Sequence, residues 1–177
     1  MPRYHPVLVA LHWLLALLIL TELMFGWLAL SKTPNADPAK LGMFLPHMAI
    51  GMGILALMLI RLVVRWRSTK PPEADTGVAF LNRAGGLTHL VIYAVVIAMS
   101  LSGFALSLAA GLPEIVFGGS GDPLPADFSG FTARAVHGAL ATVLGLLLAL
   151  HIAAALYHQF IRKDRLFARM WFGARRM

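Results

Sequence analysis

Residues 135–161 read AVHGALATVLGLLLALHIAAALYHQFI. This stretch is apolar over a length that crosses a hydrocarbon core of about 30 Å, which takes roughly 20 helical residues. Backbone amides cannot stay unpaired in lipid, so the segment is expected to be a helix. His137 and His151 lie fourteen residues apart within it. At about 1.5 Å and 100° per residue they are separated by about 21 Å along the axis and about 40° in azimuth. Two imidazoles therefore share one face, one near each leaflet. Ionisable side chains inside hydrocarbon are costly, and their presence marks function by default.

The rest of the chain has the same character. Its 177 residues are 59% hydrophobic and 13% charged, whereas soluble domains carry about 25% charged residues. Apolar runs at approximately 7–30, 47–64 and 87–110 join a fourth helix expected over 131–161. The fold class expected is an all-α, integral membrane four-helix bundle, with residues 1–177 forming one domain. The first run is too long for a signal-peptide core and lacks a small-residue cleavage site after it, so it reads as a retained helix. Cysteine is absent. That excludes disulfides, thiolate-ligated haem, cysteine-held iron–sulfur clusters and covalent C-x-x-C-H haem attachment.

Charge placement predicts orientation. With both termini cytoplasmic, the inner segments hold Arg3, then Arg61, Arg65, Arg67, Lys70 and Arg83, then Arg162, Lys163, Arg165, Arg169, Arg175 and Arg176. Only Lys32, Lys40 and Arg134 fall outside. This follows the positive-inside rule, and most of the net charge of +7 is this asymmetry, which also attracts anionic lipid. No basic soluble module is present to bind nucleic acid. Residues 162–177 alternate basic residues with Leu166, Phe167, Met170, Trp171 and Phe172, the pattern of an amphipathic helix lying on the membrane surface.

Depth sorts the histidines. Helices 2 and 4 descend, placing His47 and His137 near the outer face and His151 past the midplane. Helices 1 and 3 ascend, placing His12 and His89 toward the inner side. Two level pairs result, His47 with His137 and His12 with His151, each drawn from two helices. Bis-histidine ligation of a non-covalent b-type haem between bundle helices needs that arrangement. His89 competes with His12 as the inner ligand, and His12 is preferred for its depth. Gly51, Gly138, Ala141 and Gly145 leave room beside the outer pair, or serve close helix packing. A zinc site would draw three or four ligands into one sphere, which a spread over two depths does not supply. His89 and His158 at the inner rim are read either as solvated imidazoles or as a proton-exchanging lining for a quinone head group. Glu22, the one carboxylate in helix 1, is expected to be hydrogen-bonded within the bundle or near a haem propionate.

Five segments together carry a family resemblance. They are Leu11-His12-Trp13, Arg61-Leu62-Val63-Val64-Arg65, Thr88-His89-Leu90-Val91-Ile92-Tyr93, Ala135-Val136-His137 and Leu150-His151-Ile152 through Tyr157-His158. In this order the chain resembles the bacterial cytochrome b561 family, in particular the short four-helix form that includes superoxide oxidase. The resemblance implies two b haems, ligated by His12 with His151 and His47 with His137. It also implies electron exchange with ubiquinone on the cytoplasmic side of the bacterial inner membrane. The activity implied is superoxide:ubiquinone oxidoreductase, with electrons passing from periplasmic superoxide to the quinone pool. Arg134 resembles the basic residue that superoxide oxidase carries before the outer histidine, and it equally suits a plain interfacial anchor. Steering an anion requires positive potential, yet the outer segments set Lys32, Lys40 and Arg134 against Asp37, Glu114, Asp122 and Asp127. Any such site is therefore local to Arg134. The alternatives are a cytochrome b subunit serving a separate dehydrogenase or hydrogenase, and a haem-free scaffold or transporter with histidine proton relays.

Overall fold

The structure, a computed structural model, describes residues 3–69, 71, 79–164 and 166–173. The described residues are helical and contain no strand. Helix α1 runs over Pro6–Phe25 and continues as a π-helical turn over Gly26–Leu30. Helix α2 spans Ala39–Arg67, α3 Ala79–Ala109, and the short α4 Leu112–Val116. Helix α5 covers Thr132–Leu156 and ends in a π-helical turn over Tyr157–Arg162, before α6 at Leu166–Arg169. Four of these segments, Pro6–Leu30, Ala39–Arg67, Gly85–Ala109 and Thr132–Arg162, are long and apolar enough to cross a membrane.

Helix α2 starts at Ala39, well before the expected start near His47. Two interactions extend it. The Asp37 carboxylate accepts from the Ala39 N–H at 2.9 Å, and Lys40 Nζ donates to the Leu30 and Thr33 carbonyls, each at 2.5 Å. Pro46 stays inside the helix rather than ending the loop before it. Membrane helices tolerate an internal proline because their neighbours compensate for its lost hydrogen bond. Helix α3 stops where Gly111 enters the left-handed region at φ 67°, as helices commonly do at glycine. Pro113 then starts α4 in the first helical turn, where a missing N–H costs nothing.

The closest backbone packing is of α3 with α5, α1 with α2, and α2 with α3. The central core joins all four spans through Leu15, Ile19 and Leu23, Ile54 and Met58, Val96, and Ala141 with Leu144. Ser102, Ser107 and Gly103 on α3 are the small residues that let membrane helices approach closely. An outer cluster of Leu30, Phe44, Ala110 and Leu112 is capped by Phe128 and Phe131 from the loop before α5. Leu17, Leu28, Leu90, Leu146, Leu150 and Ile161 are each more than 60% exposed. Such a surface suits hydrocarbon and not water.

The tail differs from the expected continuous surface helix. Lys163 adopts φ 55°, which ends α5 and turns the chain back on itself. Residues 166–173 then pack against the start of α1. Trp13 Nε1 donates to the Met170 carbonyl at 2.8 Å, the Tyr4 N–H to Arg169 O at 3.2 Å, and the Arg3 guanidinium to Phe172 O. The Trp13 ring also meets Phe167 and Trp171 at 5.6 and 5.9 Å. Phe167, Trp171 and Phe172 stay exposed while the segment packs on α1, so an apolar face remains open. Arg165 and residues 174–177 of the tail lie outside the described residues, as does Lys70 of the inner loop. Arg3 and Tyr4 thus meet residues 169–172 on one side of the bundle.

Asp164 holds this turn, bonding His158 Nδ1 at 2.5 Å and lying 3.7 Å from Arg162 Nε. Burial alone would raise its carboxyl, but hydrogen bonds from His158 and the Leu166 N–H, with the nearby Arg162 charge, hold it below the ordinary carboxylate range. A depressed carboxylate contributes stability above its unfolded value and loses it as pH falls through the folded one. Limited proteolysis of the tail in detergent should therefore accelerate on acidification through the carboxylate range. Asp164→Asn should cleave faster at neutral pH and lose that dependence, by an amount on the order of 0.2–1 kcal/mol for a partly exposed pair.

Candidate functional site

Helices α1, α2 and α5 bring two histidine pairs face to face at two levels. At one end His47 of α2 and His137 of α5 have ring centroids 6.2 Å apart with planes at 88°. At the other, His12 of α1 and His151 of α5 are 6.3 Å apart at 73°. His89 of α3 joins this second group, 5.4 Å from His151. Helix α5 packs most closely on α3, and its two imidazoles meet rings supplied by α1 and α2.

The outer rings are fixed through Nδ1. His47 Nδ1 lies 2.5 Å from Glu22 Oε2 on α1. His137 Nδ1 lies 3.1 Å from the Met99 carbonyl and 3.0 Å from Ser102 Oγ. Since a carbonyl can only accept, Nδ1 of His137 carries the proton and Nε2 the lone pair. Gly103 makes room for this ring, because a Cβ there would stand 2.9 Å from His137 Cε1. Met99, Ser102 and Gly103 were not distinguishable in the sequence as parts of the site. A serine and a glycine in an apolar helix read as packing until the neighbouring helix is placed.

Two coaxial metal–imidazole bonds of about 2 Å would hold ring centres about 6 Å apart. Both cross-helix pairs have that separation, and the His89–His151 pair is tighter. His89 is otherwise exposed, its Nδ1 bonded to the Gly85 carbonyl at 2.8 Å in the preceding turn. The chain as a whole finds close relatives. Residues 3–173 match the family described as prokaryotic cytochrome b561. The chain belongs to the prokaryotic cytochrome b561 family.

Among its relatives, cytochrome b561 homolog 2 of Escherichia coli (strain K12) is 31% identical over 181 residues, covering 95% of this chain and 90% of the relative. Cytochrome b561 homolog 1 of the same organism is 27% identical, covering 96% and 97%. The probable superoxide oxidase CybB of Yersinia pestis is also 27% identical, covering 95% of both. Membership makes this cytochrome a b-haem membrane electron carrier, and with its four spans a multi-pass protein of the bacterial inner membrane.

The other singled-out residues have separate surroundings. Arg134 sits one turn before His137 and acts electrostatically on both His137 and Lys40. His158 lies in the π-helical turn, held by Asp164, with Tyr157 beside it at 6.0 Å. Gly145 does not leave open space for a cofactor: the Trp27 indole stands against it, where a Cβ would collide. Gly51 has open space around it.

The Gly103 contact is directly testable. Gly103→Ala should force the His137 ring away from Met99 and Ser102, at a cost of about 1–3 kcal/mol typical of overpacking. Thermal unfolding in detergent and the haem-to-protein ratio should both fall. Wild-type values for both would show that the ring has room to move.

Proposed function

We propose that this cytochrome carries two b haems, one between His12 and His151 and one between His47 and His137, and passes electrons from superoxide to ubiquinone. The spacing of the two cross-helix pairs carries the ligand assignment, because each equals a bis-imidazole span. The Nδ1 contacts of His47 and His137 support Nε2 as their coordinating atom. His12 is preferred over His89 at the inner level, since the 5.4 Å contact of His89 with His151 is shorter than that span. When bound, the haems supply reversible one-electron chemistry, which the protein tunes through ligands, burial and hydrogen bonds.

The excess of basic residues at the end bearing both termini supports a cytoplasmic location for that end. Superoxide then meets the protein at the His47–His137 end. Arg134, with Lys40 in electrostatic reach, provides the local positive potential that an anion needs there. Each superoxide gives up one electron and leaves as dioxygen. Ubiquinone takes two electrons and two protons to become the quinol, so two superoxide anions are consumed per quinone. On the cytoplasmic side, the exposed His89 and the His158–Asp164 pair are the groups proposed to line the quinone head group and exchange those protons. The superoxide assignment draws on the resemblance and on the relative named a probable superoxide oxidase.

Rapid mixing of the purified cytochrome with superoxide should reduce its haems, and added ubiquinone should reoxidise them. Arg134→Gln should slow the first step about tenfold and flatten its salt dependence, the low end of electrostatic steering, with unchanged haem spectra. Reduction only in the presence of a copurifying dehydrogenase or hydrogenase would replace the superoxide reading with the subunit one. His137→Ala and His151→Ala should each remove one haem, measured as pyridine haemochrome. Two haems retained in both variants would refute the ligand assignment.

A further inference from the structure

Glu22 is the one carboxylate within the four membrane-spanning segments. Its side chain is 11% exposed. An acid there is expensive in hydrocarbon, and an apolar residue would fill the position without that cost. Its carboxylate Oε2 is 2.5 Å from Nδ1 of His47. The histidine opposite has only neutral partners, the Met99 carbonyl and the Ser102 hydroxyl. The two rings of the outer pair are therefore held by chemically different groups.

Arg134 also stands at the outer level, its guanidinium over Gly138 next to His137, so the contrast with the inner level lies in the carboxylate. No carboxylate lies in the spans there, and Arg61 of α2 reaches α1 at the Leu8 carbonyl, one turn before His12. Arg61 is only 9% exposed, and its guanidinium bonds the Leu8 carbonyl at 2.5 Å. It also sits over the Tyr93 ring at 5.8 Å. This cation is fixed within the bundle, where solvent screens it little.

We infer that Glu22 is a positioning residue for His47 that makes the outer haem site the more reducing of the two. The inference rests on the two-haem reading. A carboxylate accepting from the far nitrogen of a ligating imidazole orients the ring and raises its basicity. A more basic ligand favours the oxidised metal, and so lowers the reduction potential. Arg61 does the reverse at the inner level, where a nearby cation favours an added electron. Glu22 and Arg61 together set an electrostatic slope that favours an electron moving from the His47–His137 level to the His12–His151 level. The residues of this chain thereby bias which of the two haems holds an electron, while donor and acceptor set the net direction.

The test is a spectroelectrochemical titration of the full-length purified cytochrome, with the haem count taken on the same samples. Glu22→Gln should retain two haems and raise one midpoint by at least a tenfold change in its one-electron equilibrium, about 59 mV. The other midpoint should stay, and Glu22→Asp should fall between Glu22→Gln and wild type. Ferric EPR of Glu22→Gln should show one of the two low-spin signals moved. Two haems with both midpoints unmoved overturn the inference. If Glu22→Gln sheds a haem, the comparison passes to His12→Ala, which leaves the outer haem, and His137→Ala, which leaves the inner one. A lower midpoint in the former supports the slope, and an equal or higher one overturns it. A wild-type count other than two removes the two-haem reading itself, whatever Glu22 does.

Discussion

The cost of placing ionisable side chains in hydrocarbon governs this structure. Each imidazole or carboxylate within the spans must find a partner from another helix or open onto the rim. Among the described residues, Glu22 meets His47, His137 meets Ser102 and the Met99 carbonyl, and Arg61 meets the Leu8 carbonyl. These contacts link α1 to α2, α3 to α5, and α2 back to α1. The polar pairs therefore set helix rotation at each level, and the apolar residues between them fill space. Lipid and a helix neighbour are nearly equivalent environments for leucine, so apolar packing alone specifies rotation weakly in a membrane.

Helix α5 is the shared element, since it contributes one ring to each level. Its position follows from the small residues of α3. Gly103 admits the His137 ring where any Cβ would collide with it, so the close contact of α3 and α5 directs that imidazole toward α2. The two gaps between opposing rings are consequences of this arrangement. Helix α5 packs most closely on α3 and turns its two imidazoles toward rings from α1 and α2.

The spans, the paired depths and the fourteen-residue interval were legible because each depends only on helix geometry within one segment. What was not legible depends on azimuth between segments. His12 and His89 are both inner histidines by sequence, and only the placed rings separate a 6.3 Å contact from a 5.4 Å one with His151. The Glu22–His47 bond likewise needs two helices to be rotated into register. Pro46 and the Asp37–Ala39 contact misled the start of α2, because a proline read in isolation suggests a helix end. The tail misled for a related reason. Its alternation of Arg or Lys with Phe and Trp suits a lipid surface, and the left-handed turn at Lys163 that breaks the helix and folds the segment onto α1 has no signal in that pattern.

The layer between the two levels has its own physical consequence. It is built from Leu15, Ile19, Ile54, Val96, Ala141 and Leu144, with Tyr93 in the same cluster. Electron transfer through it needs only a short enough distance. In the proposed orientation, an electron passing from the outer level to the inner one would move toward the negative side of an energised membrane. Carrying one charge across it costs about 2.3 kcal/mol per 100 mV of potential. That opposing term grows as the membrane energises. Arg61, buried at the inner level, and Glu22, largely buried at the outer one, act in the opposite sense, and Arg134 over Gly138 offsets part of the Glu22 contribution.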